Sequence, residues 1–155
     1  MVEVTWAAIN ILFQIMFTWD MEFPADSFYS QDVANVYCLS ANAYFEARSE
    51  SQEEQMAVTQ VALNRVNDSR WPNDICSVIT QKHQFSWVWD DRPDTIHDIS
   101  AFIESVNAVL MVYTGIAPDV VFGATHYYAH DLVSKPSWAK NMEITVILDG
   151  HTYLK

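Results

Sequence analysis

A helix-rich α+β domain is predicted by three observations. Apolar residues recur at three- and four-residue steps through much of the chain up to Tyr113, the period of helices that bury one face. β-Branched and aromatic residues then gather in short runs around Asp149-Gly150, a turn pair suited to a tight antiparallel hairpin. Helices that come first and strands that come last, without alternation, give the α+β order rather than a parallel α/β sheet.

The elements follow in chain order. Trp6 to Phe17 is largely apolar but is interrupted by Asn10 and Gln14, and about 20 apolar residues are needed to cross a bilayer. It reads as a helix whose apolar side joins the core, and no stable membrane insertion is expected. Val33, Val36, Tyr37, Ser40, Ala43, Tyr44 and Ala47 then mark the packing face of a helix. Ser51-Gln52-Glu53-Glu54 fits a capping box at the start of the next, with the Glu54 side chain reaching back toward Ser51. Val58, Val61, Ala62 and the turn from Leu63 to Val66 form its buried side.

Asn73 or Asp74 caps a short helix through Ile79, and Gln84 to Pro93 is an aromatic-rich loop carrying Trp87 and Trp89. Those rings suit either a sugar or the outside of the core. Ile99, Phe102, Ile103, Val106, Val109, Leu110 and Tyr113 give the cleanest amphipathic period, ending at Gly115. Val120-Val121-Phe122 leads into the strand-like Gly123 to Tyr128, and Ile144 to Leu148 with His151 to Leu154 flank the Asp149-Gly150 hairpin.

Size and composition bound the partners. With 155 residues, 50% of them hydrophobic, and only 3 Gly and 5 Pro, the chain fits one core, without repeat, linker or low-complexity tract. A net charge of -12 leaves no basic stripe to displace counterions, so no nucleic acid is expected as a partner. It also gives no attraction toward an anionic membrane or wall, so such a substrate must be held by short-range contacts. Cys38 and Cys76 lack CxxC spacing; they are either a buried free pair or one disulfide tying the first helix to the segment after Pro72. His126, His130 and His151 lie in strand-like surroundings unlike a helical HExxH, so neither metal nor cofactor is expected. His126 is expected to bond substrate or to orient a catalytic group, and His83 and His97 to face solvent.

The strongest chemical candidate is Glu46. It falls in the last turn of the first helix, where unpaired carbonyls and the apolar Tyr44 and Phe45 favour a protonated carboxyl, with Arg48 acting in the opposite direction. An acid with raised proton affinity is what protonation of a glycosidic oxygen requires. Glu53 and Glu54 read as ordinary first-turn acids. If helical geometry ran on through Ser49, Glu50 would stand one turn from Glu46 as a second carboxylate.

Cys38 to Glu50 with its Glu46-Ala47-Arg48 core, Gln55 to Val58, Leu63 to Val66, Trp71-Pro72, Ile75-Cys76, Gln84 to Trp87, Gly123 to Tyr127, Trp138-Ala139, Gly150-His151 and Tyr153 occur in one order. Together they resemble the spore cortex-lytic cell wall hydrolases of the SleB/CwlJ type. The resemblance covers residues 35–155, the expected catalytic domain, with residues 1–34 as an N-terminal apolar helix and connecting loop packed on it. It implies a lysozyme-like fold acting on the bond between N-acetylmuramic acid and N-acetylglucosamine in peptidoglycan, with Glu46 as the acid and 1,6-anhydro products. Gln84, Phe85, Ser86, Thr125, His126 and Tyr127 are the expected lining of the sugar groove, and a monomer is expected. Two departures stand out: Ser49 replaces a usual Gly, and Asp149 a small apolar residue.

Three alternatives are weighed beside it: a hydrolytic muramidase assisted by Glu50, a peptidoglycan-binding module without catalysis, and a zinc amidase built on the three histidines. Glu3 and the lack of any Lys or Arg before Arg48 do not suit a secretory signal. A phage endolysin, made in the host cytoplasm and released to the wall through a holin, is expected on that ground.

Overall fold

The computed structural model describes residues 28–82, 84–89 and 94–155. The apolar segment from Trp6 to Phe17, and with it most of the expected 1–34 region, lies outside them. Helix α1 spans Phe28–Ala47, so the boundary expected between residues 34 and 35 falls within one continuous helix. Val36, Leu39, Ala43 and Ala47 on its packing face meet Val58 and Ala62, Val78 and Ile79, Phe85 and Val109 in the main core. Tyr44 turns into a smaller cluster with Phe102 and Val106.

Helix α2, Gln52–Val66, begins at Ser51, whose Oγ accepts from the Glu54 amide at 3.2 Å. Its residues face two ways, because Val58 and Ala62 enter the helical core while Ala57 and Val61 pack on Val121, Ala124 and Tyr153 beneath the sheet. Helix α3, Ile75–Thr80, is capped by Asp74, which accepts from the Ser77 amide at 2.9 Å. A Cys38–Cys76 disulfide joins α1 to α3, which resolves the two open readings of these cysteines. The next segment forms a 3-10 helix over Ser86–Trp89. There Trp87 stacks on Phe45, with centroids 4.6 Å apart, and donates to Asn42 Oδ1 at 3.0 Å, so it covers α1 from outside.

Helix α4, Ile99–Tyr113, starts at the Asp98 cap and ends before Gly115, whose φ of 74° suits a residue without Cβ. Phe102, Val106 and Val109 are buried, whereas Ile99 and Ile103 of the same apolar period stay exposed. Strands β1 (His126–Ala129), β2 (Ile144–Ile147) and β3 (His151–Leu154) form one antiparallel sheet in the order β1-β3-β2. The β2–β3 hairpin turns at Asp149-Gly150 as expected, and β1 joins its far side with Tyr127 opposite Tyr153 and Ala129 opposite His151. The central strand β3 is wholly buried.

Candidate active site

The end of α1, the start of α2 and one face of the sheet converge on three glutamates. Glu46 occupies the last turn of α1 and is half-buried. Its Oε2 accepts a hydrogen bond of 2.9 Å from the Tyr127 hydroxyl. Burial raises its proton affinity, and this outweighs the Tyr127 bond and the nearby His151 and Arg65 charges, which lower it. The sequence left open which of the opposing effects prevails; burial does, and the neighbours are not the expected ones. Tyr44 packs edge-on against Phe102, and Phe45 lies on Trp87, so the ring that meets the carboxyl is Tyr127 from β1. The opposing charges come from His151 and Arg65 rather than from Arg48, whose Cζ sits 4.9 Å from the Tyr44 ring centre.

Arg65 ties both halves of the site together. It is buried on α2, its Nε donates to the Thr125 carbonyl at 2.7 Å, and its Cζ lies 5.0 Å from the Phe85 ring centre. Burial lowers its pKa, while Tyr127 and Glu46 act to raise it. Burial also pushes the Tyr127 hydroxyl far up, reinforced by the Glu46 charge, so Tyr127 stays a hydrogen-bond donor.

Glu54 departs most from expectation. It is not an ordinary first-turn acid, and its side chain does not return to Ser51. It is fully buried, with Oε1 receiving the Tyr153 hydroxyl at 2.6 Å and contacting His151 Nδ1 at 2.8 Å, while Oε2 accepts from the Gly150 amide at 3.3 Å. Burial alone would raise its pKa, but these hydrogen bonds prevail and hold it below the ordinary value. An ionised carboxylate only accepts, so the proton shared with His151 belongs on Nδ1. The His151 ring stands edge-on to Tyr127, with centroids 5.0 Å apart, and thereby links the Glu54 network to the residue that bonds Glu46.

Glu50 reaches the same region by another route. Helix α1 ends at Ala47, and the Glu50 amide closes a turn onto the Ala47 carbonyl at 3.0 Å, so the one-turn spacing from Glu46 along a continuous helix is absent. The Glu50 carboxyl lies against Gly150 instead: a Cβ there would come within 3.0 Å of Glu50 Cδ. Gly150 therefore admits one carboxylate at its Cα and binds another through its amide. Ser49 takes no positive φ, a conformation that among the described non-glycine residues only Phe122 adopts, so the turn accommodates Ser in place of Gly.

The expected groove residues divide. Thr125 Oγ1 pairs with His126 Nδ1 at 3.0 Å, and Gln84 Oε1 accepts from the Trp71 indole at 3.5 Å. Phe85 is only 1% exposed and lies in the core under Arg65, so its ring presents no face to solvent. Ser86 opens the 3-10 helix, but its side chain lies outside the described set, as does His83. His97 is exposed. Among the described residues no group of three His, Cys, Asp or Glu converges as a metal site. His126 bonds Thr125, His130 pairs with Thr152 Oγ1, and His151 engages Glu54, so the three histidines of the zinc reading have separate partners.

Fold and site define a class: a small helix-rich α+β enzyme domain with buried carboxyls where a helix end meets a three-stranded sheet. The cell wall hydrolase family model matches residues 49–154, beginning just after Glu46, and the chain belongs to that family. The catalytic domain of Bacillus cereus SleB is similar over 79% of this chain and 91% of its own, with 28% identity and a TM-score of 0.64. The catalytic domain of the germination-specific lytic transglycosylase SleB from Bacillus anthracis is similar over 86% of this chain and 100% of its own, with 25% identity and a TM-score of 0.63. No curated protein gives a significant match. Among the described residues no helix is long and apolar enough to cross a membrane.

Proposed function

We propose that this enzyme cleaves the β-1,4 bond between N-acetylmuramic acid and N-acetylglucosamine in peptidoglycan as a lytic transglycosylase, with Glu46 as acid and then base. The observation that carries the reading is the half-buried Glu46 carboxyl, its proton affinity raised by burial and its Oε2 held by Tyr127. The family match and the two SleB catalytic domains support the substrate class.

In the proposed reaction Glu46 donates its proton to the glycosidic oxygen as the bond from that oxygen to muramyl C1 breaks, and the N-acetylglucosamine 4-hydroxyl leaves. Electron demand at C1 is met by the muramyl C6 hydroxyl oxygen. As the O6–C1 bond forms, the Glu46 carboxylate takes the hydroxyl proton and is restored for another turn. No water is consumed. Tyr127 steadies the carboxylate between the two transfers, and Arg65 balances its charge. This route needs no second carboxylate as nucleophile, which agrees with the engagement of Glu54 inside the protein.

The test is Glu46→Gln, which keeps the shape and removes the titrating proton. Release of muropeptides from purified sacculi is expected to fall by at least about a hundredfold, the scale of a lost general acid; unchanged release would sink the assignment. Stability provides the control. Because the folded pKa of Glu46 is raised, its contribution to stability is full below the unfolded value and is lost as pH rises through the folded one. Gln escapes that loss, so the variant is expected to be at least as heat-stable as the parent at pH 7. Product masses separate the chemistries: anhydro ends, lighter by one water, mark transglycosylation, and reducing ends would move the assignment to hydrolysis with Glu50 positioning water.

A further inference from the structure

Next to Tyr127 on β1 stands a row of aromatic rings of which only His126 has so far been expected to meet substrate. His126 lies between two indoles, with its centroid 5.6 Å from Trp71 and 5.6 Å from Trp138, and Tyr128 stands edge-on to Trp138 at 6.3 Å. Trp138 is 48% exposed. Its place is defined locally: Pro136 caps the 3-10 helix Ser137–Asn141, and Ala139 anchors that turn in the interior. An indole is the largest apolar side chain, and holding one half in water forgoes burial that the fold could otherwise use.

Resting on the glycosidase reading, we infer that the Trp71–His126–Trp138–Tyr128 row is a binding platform for the glycan strand beyond the bond cleaved at Glu46. Continuity is the first argument. Tyr127, which bonds Glu46, stands between His126 and Tyr128 on β1, and among the described residues β1 is an edge strand in the β1-β3-β2 order. Alternation turns Tyr127 toward the acid and its two neighbours toward Trp138, so a strand lying over that edge passes from one set of side chains to the other. Charge is the second. A protein of net charge -12 has no long-range attraction for an acidic wall polymer, whereas the C–H face of a pyranose packs on an uncharged indole without repulsion. The occupant is therefore a sugar ring of the same strand that enters the active site.

The experiment compares the full chain with Trp138→Ala in co-sedimentation with purified sacculi and in turnover of sacculi and of a short muropeptide oligomer. The expected result is about a tenfold loss of affinity and a matching rise in KM on sacculi, the scale of one aromatic contact. The rise in KM is smaller on the short oligomer than on sacculi, kcat on sacculi falls less than affinity does, and Trp138→Phe recovers most of the binding. Should the Ala variant fold poorly, Trp138→Phe and Trp138→Gln, both similar in reach, carry the comparison. Equal sacculus binding by parent and Trp138 variants overturns the platform while leaving Glu46 untouched. A dimeric parent that becomes monomeric on substitution, with sacculus affinity retained, assigns the ring to a second copy of the chain and also overturns it. A parent that neither binds nor cleaves sacculi removes the glycosidase reading together with the platform.

Discussion

Glu54 receives three donors while fully withdrawn from water, so its value to the molecule depends on all three being present. In Glu54→Gln one end of the side chain becomes an amide that donates, and it opposes either the Gly150 amide or the His151 and Tyr153 donors. Loss of about 3 kcal/mol or more is expected at pH 7, the scale of a broken buried charged network, measured by urea unfolding. The pH dependence has a definite sign. Glu54 has a lowered folded pKa, so its contribution is present above the unfolded value and is lost as pH falls through the folded one. The variant should therefore show a shallower loss of stability toward acid than the parent; an equally steep decline would assign that loss to other carboxylates. The helix-end place of Glu46 was legible from sequence because it is local information. The function of Glu54 was not, since its partners are 96 to 99 residues away on the β3 side of the hairpin, and its local spacing fits a capping box equally well.

At the scale of elements, the disulfide is the covalent brace behind the site. Cys38 lies on α1, the helix that ends at Glu46, and Cys76 on α3, with a sequence separation of 38. Closing a loop of that length restricts the unfolded chain by about 4 kcal/mol in the entropic account. Cys38→Ser is expected to lower unfolding free energy by about 2–4 kcal/mol, and a reductant should lower the melting temperature of the parent but not of the variant. A reductant-insensitive parent would count against the brace. Helix positions and caps were largely legible because they depend on neighbours: Ser51 and Asp74 each cap within their own turn. The hairpin at Asp149-Gly150 was legible for the same reason. The attachment of β1 to β3 was not, because a four-residue strand such as His126–Ala129 acquires its register only from the strand it meets. Phe85, expected in the sugar groove only through the resemblance, is enclosed by Arg65 and the α1–α3 core, contacts that no local pattern encodes.

For the whole molecule, the balance of 20 acids against 8 Lys and Arg sets how the enzyme meets its substrate. Peptidoglycan carries stem-peptide carboxylates, so both surfaces are negative at neutral pH and encounter is opposed at long range. Salt acts on that repulsion before it reaches the groove. Raising ionic strength from 0.01 M to 0.15 M shortens the screening length from about 30 Å to about 8 Å, well below the size of the domain, whereas the 2.9 Å Tyr127–Glu46 bond is hardly screened. The initial rate of sacculus clearing at subsaturating substrate is therefore expected to rise by roughly two- to fivefold over that range, chiefly through KM, with kcat nearly constant. Turbidity loss across a sodium chloride series measures it. A rate that falls steadily with salt would mean that a local positive field around Arg65 and Arg70 steers the polymer despite the net charge, and repulsion would not be the controlling force.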